Sequence, residues 1–164
     1  MNRLEDQATR TLHPAGAGGN QRPALSASFD VAQVFDVLTH LATAVAPGAT
    51  VLVWLAEEGT LVCHHAPVPE VGEPELSLLD NPGPAASAAR LQRTVRAARP
   101  WPALAVPLVF GRRTVGVFEL RGPEAALAGP AATAALESAA ILAAAAIEAG
   151  HRHDQELARL EREQ

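Results

Sequence analysis

A chain of 164 residues with a net charge of −5 reads as one domain with tails, large enough to bury about two thirds of its extended surface. All 13 basic residues are arginine and tyrosine is absent, a compositional bias that makes the many alanines uninformative. The acidic balance argues against nucleic acid as a partner. The single cysteine excludes an internal disulfide, no apolar run reaches the ~20 residues of a membrane span, and the mixed-charge start is no secretion signal, so a cytoplasmic protein is expected.

Residues 1–27 are expected to be a flexible lead-in, rich in Gly and Pro between His13 and Ser26. A helix starts near Ser28, a good N-cap, with Asp30 suiting its positive end. Val31, Val34, Phe35, Leu38, Leu41, Ala42 and Val45 recur in steps of three and four and form one stripe, which Pro47-Gly48 ends. Thr50–Leu55 reads as a strand, Ala56–Gly59 as a four-residue turn and Thr60–His65 as the returning strand. That register puts Trp54, Leu61, Cys63 and His65 on one sheet face, and Val51, Val53, Leu55, Val62 and His64 on the other.

Five prolines between Pro67 and Pro84 predict an irregular connection beside a pocket, with a short strand over Glu75–Leu79. Ala85–Ala98 reads as a helix with Ala88, Leu91, Val95 and Ala98 inward, ended by Pro100. Ala103–Leu120 is the organising stretch: two apolar strands around a tight turn opened by Gly111. Leu104, Val106, Leu108 and Phe110 share one face and Ala103, Ala105 and Val109 the other, while Val115 and Val117 oppose Phe118 and Leu120. A hairpin apolar on both faces belongs at the centre of a sheet. Pro107 removes a ladder donor, so an edge, a bulge or a ligand is expected there, and Gly116 leaves room for a helix or small molecule.

Pro130 sits at the first position of a last helix that runs to the C-terminus. Its heptad seam is Leu136, Ala139, Ala143, Ala146, Gly150, His153, Leu157 and Leu160, beside a charged face carrying Glu148, Arg152 and Glu156. The pattern reaches Gln164 without a Gly cap, as in a linker helix continuing into a longer chain.

Helix, hairpin, irregular loop, helix, apolar hairpin and long exit helix together resemble a GAF domain. The resemblance is carried by Val34–Val62, by PALAVPLVFGRRTVGVFELRGP over Pro102–Pro123, which is similar to the family's "vPl…g…iGvl.l" core, and by the closing helix Ala131–Glu148. It implies an α+β fold, a GAF/PAS-like central antiparallel sheet with the N- and C-terminal helices on one face and a long exit helix. The domain would span 28–149, with 150–164 as a coiled-coil extension. It further implies a regulatory sensor module of bacterial two-component signalling, without catalysis, forming a parallel homodimer that signals to a kinase or cyclase domain. The short link before Pro102 departs from the family and implies a reduced pocket lid.

The candidate pocket residues are Trp54, Cys63, His65, Arg93, Trp101 and Gly116, and the candidate dimer residues are Leu136, Ala139, Ala143, Ala146, Gly150, Leu157 and Leu160. Cys63-His64 raises an alternative tetrapyrrole receptor, with bilin on the thiol or haem on His64 or His65, although a dipeptide in mid-strand fits packing better. His151 and His153 are two apart on a helix and do not share a face, so no metal or cofactor is expected. The band Arg90, Arg93, Arg96 and Arg99, extended by Arg112, Arg113 and Arg121, reads as a solvated face rather than an anion site. Some GAF proteins look like free methionine sulfoxide reductases, but a cysteine relay needs a second thiol. A third reading is a ligand-free scaffold whose cavity is closed by Trp54, Trp101 and Leu104.

Overall fold

The computed structural model describes residues 31–65 and 75–164; the lead-in, Ser28, Asp30 and the prolines at 67, 69 and 74 lie outside the described residues. Helix α1 (Val31–Val45) buries Phe35, Leu38 and Ala42 along the expected stripe, and Gly48 follows it at φ +89°. Strand β1 (Thr50–Glu57) runs two residues longer than expected and pairs with β2 (Thr60–His65) through a two-residue turn. Glu58 and Gly59 both take positive φ, at 46° and 84°, the backbone that matches the twist of a tight hairpin.

Strand β3 (Glu75–Ser77) adds to β2, and helix α2 (Pro84–Leu91) crosses the sheet. The expected helix over Ala85–Ala98 is corrected here. It stops at Leu91, because Gln92 turns left-handed at φ 51° and donates through Nε2 to the Arg112 carbonyl at 2.9 Å. Val95–Ala97 then forms strand β4 on the edge of β5 (Ala103–Phe110), and Leu91 is exposed. Strand β6 (Arg113–Arg121) completes the hairpin, helix α3 (Pro123–Ala126) follows, and α4 (Pro130–Arg162) begins with Pro130 as expected.

Among the described residues the strands form one antiparallel sheet in the order β3-β2-β1-β6-β5-β4. The β5–β6 hairpin therefore lies inside the sheet, as its two apolar faces require. Pro107 sits beyond the end of the β4 pairing, where β5 becomes an edge. The ladder slips between Leu108 and Val109, so Val115 is an extra residue on β6. This bulge turns Val115 onto the face of Phe118 and Leu120, against the strict alternation that grouped it with Val117.

One face of the sheet, with Val51, Val53, Leu55, Leu104, Val106, Leu108, Phe118 and Leu120, packs against α1 and α4. The opposite face, with Leu52, Trp54, Leu61, Ala105 and Val117, is covered by the alanines of α2. Both terminal helices thus share one face, as expected. The expectation that no stretch is apolar enough for a membrane span is corrected: α4 meets the length and composition of one. Here its Leu136, Ala140, Ala143, Ala144 and Ile147 fill the protein's own core.

Candidate functional site

Alternation along β6 sends Val117, Glu119 and Arg121 to the α2 face, opposite Pro107, Ala105 and Ala103 of β5. A carboxylate there is costly unless every lone pair is met. Glu119 is 0% exposed, and four donors converge on it. Trp54 Nε1 donates to Oε2 at 2.9 Å and Trp101 Nε1 to Oε1 at 3.2 Å. Arg121 donates through Nε to Oε1 at 3.1 Å and through Nη2 to Oε2 at 3.3 Å. These bonds match the about four acceptor sites of a carboxylate. The Arg121 guanidinium also lies over the Trp101 ring, 4.1 Å from its centroid. Trp54 and Glu119 are sealed, whereas Trp101 keeps 36% exposure and the Arg121 side chain 17%.

A second feature lies on the other face. An apolar groove of about 310 Å³ runs between α1 and α4, lined in part by Val34, Val37, Ala139, Leu142 and Ala146. Val37 is 64% exposed, Leu142 73% and the adjoining Ile141 67%. Farther along α4, Glu148 is buried and accepts from both Arg113 and Arg152. A polar pocket of about 260 Å³ near the hairpin tips is lined in part by Glu57, Glu58, Arg113, Thr114 and His151.

The structure brings two of the expected pocket residues together, Trp54 and Trp101, on a carboxylate that sequence reasoning missed. Cys63 faces Trp54 across the β1–β2 ladder and is half-buried against the α2 layer. The side chain of His65 lies outside the described residues. Arg93 is exposed between α2 and β4. Gly116 lies on the opposite face, where an added Cβ would collide with the Trp54 carbonyl and press on Leu108 and Leu55, so strands and core fill that space. Leu104 also faces α1 and α4, so it cannot close a cavity with the tryptophans. His64 is tied to Glu57 at 2.8 Å on the exposed hairpin.

Of the expected dimer residues, Leu136, Ala143 and Gly150 are buried inside this chain, Ala139 and Ala146 are half-buried, and Leu157 and Leu160 are exposed. Glu148, read as part of a solvated charged face, is instead an internal anchor. Several arginines of the basic band are likewise structural: Arg90 holds the Leu78 and Asn81 carbonyls, and Arg96 holds the Ala128 carbonyl and the Thr133 hydroxyl.

No protein-family model and no curated protein matches the chain by sequence. Solved structures do match it. The type II free methionine-R-sulfoxide reductase of Thermoplasma acidophilum aligns with a TM-score of 0.60 at 19% identity, over 71% of this chain and 90% of that one. The GAF domain/HD domain protein of Geobacter sulfurreducens gives 0.59 at 16%, over 75% and 95%. The GAF-B domain of DevS from Mycobacterium smegmatis gives 0.58 at 20%, over 77% and 99%. These identities speak to fold alone, and the fold is that of GAF domains. The expectation of a chain without catalysis is corrected by the first of them: the same architecture carries a reductase, so a lone cysteine argues only against an internal thiol relay.

Proposed function

We propose that this chain, a domain of GAF fold, is a sensor-type module that pairs with a second copy through α1 and α4 and passes the state of the domain along α4 toward an output domain such as a kinase or cyclase. The observation that carries this reading is the apolar strip of Val37, Ile141 and Leu142, which borders a groove on one flank of the fold. Large exposed apolar patches mark interaction surfaces. A second copy is the occupant that also accounts for the end of α4. From Arg152 onward every residue of α4 is exposed, Leu157 at 47% and Leu160 at 52%. A parallel partner would cover groove and extension together, because both lie along one helix.

The contact surface differs from the heptad seam. Leu136 and Ala143 are spent on the core, so the partner meets Ile141, Leu142 and Val37 instead. Leu142→Glu is the variant that tests this. Sedimentation equilibrium should give a dimer for the wild-type chain at tens of micromolar and a monomer for the variant, with the fold of the variant retained by circular dichroism. A wild-type monomer at high micromolar concentration removes the reading. Ala143→Glu is not a usable probe, because Ala143 is buried within the core.

A further inference from the structure

Independently of assembly, we infer that Glu119 is the anchor of a binding slot for a small molecule carrying a guanidinium group, and that Arg121 is its built-in occupant. Glu119 is sealed from solvent between an indole that is fully buried and one that is not. A buried ion pair is weak evidence for stability, since an apolar pair of similar volume does as well or better. The arrangement here is instead that of recognition: a carboxylate takes two parallel N–H bonds from a planar cation, whose face lies on an aromatic ring.

The members differ in their depth in the sheet. Trp54 and Glu119 occupy inner rungs, Trp54–Val117 and Ala105–Glu119. Arg121 is paired too, with Thr50 and Ala103, but in the end rung of β6, and Gly122 after it stands at φ +135°, so the outer wall of the slot is the end of a strand. Arg121 and Trp101 are the two members that reach solvent. An incoming guanidinium replaces like with like at Glu119, and the released Arg121 side chain exchanges its contacts with Glu119 and Trp101 for hydration. What opposes the exchange is the tethering of Arg121, equivalent to a local concentration on the order of millimolar.

The chain has two tryptophans and no tyrosine, so its intrinsic emission reports on this slot alone. Methylguanidinium chloride, titrated into the full chain at constant ionic strength, should change that emission saturably. Arg121→Ala removes the internal competitor and should lower the midpoint about tenfold or more. Trp101→Ala added to Arg121→Ala, read through Trp54, should raise the midpoint of the Arg121→Ala protein about fivefold through lost stacking. Glu119→Gln should abolish saturation, and the Trp101 variant carries the test if that protein does not fold by circular dichroism. A wild-type chain that never saturates below its unfolding concentration overturns the inference, even if Arg121→Ala does saturate, because the slot is then only the seat of a structural arginine. A midpoint for the Arg121→Ala/Trp101→Ala protein equal to that of Arg121→Ala overturns it as well.

Discussion

Glu119 sets the energetics of the α2 face. Removing its carboxylate leaves two indole N–H groups and a guanidinium without a partner, three losses at once. Glu119→Leu should therefore cost about 3–5 kcal/mol in urea unfolding. Glu119→Leu combined with Arg121→Leu should recover most of that, because the uncompensated cation goes too. A double variant no more stable than the single one would place the cost in the indoles instead. The residue was legible in principle: in the apolar run Val117-Phe118-Glu119-Leu120, one acidic residue occupies an inward position of a strand buried on both faces. Its role is not legible, because the alternation there is dominated by apolar members and its partners, Trp54 and Trp101, are 65 and 18 positions away along the chain. Pairing of that kind is set by topology, which no local pattern contains.

Among the elements, those with strong periodicity were readable and those ended by left-handed backbone or a long-range hydrogen bond were not. The stripe of α1 and the Gly111 turn of the β5–β6 hairpin follow from residue spacing and turn chemistry. The end of α2 does not, because Ala85–Ala98 keeps a helical pattern of alanines to its last residue. Gln92 overrides that pattern by adopting a left-handed backbone and bonding to the β5–β6 turn, and the β-branched Thr94 and Val95 then extend as an edge. The β1–β2 turn was read too long for a similar reason, since Glu58 is an unusual residue at φ 46°. Glu58→Asn gives the turn the Asn-Gly pair that both positive angles favour. It should stabilise the protein by about 0.5–1 kcal/mol, read as a higher urea midpoint at unchanged slope. A neutral or negative effect would mean that the Glu58 side chain contributes at the polar pocket it lines.

At the scale of the whole molecule, α4 joins two environments. Its first part is core: Leu136, Ala140, Ala144 and Ile147 seal the sheet, and Glu148 fastens it to the hairpin through Arg113. Its last part, from Arg152 on, is exposed throughout. A helix of about a dozen residues is marginal alone in water, so this extension draws its order from the packed part or from a partner. The two sources predict different consequences of deleting residues 153–164. At concentrations where both chains are monomeric the fold should melt within about 2 °C of the intact chain, because every deleted residue is exposed. The proposed dimer should dissociate about tenfold more readily or worse, because Leu157 and Leu160 together supply at least one fully buried side chain's worth of contact. Calorimetry and sedimentation on the same two samples separate these effects. An unchanged dimer would confine the interface to the groove beside Val37 and Leu142, and the extension would then be free to carry whatever α4 transmits by rotation of its fastened half.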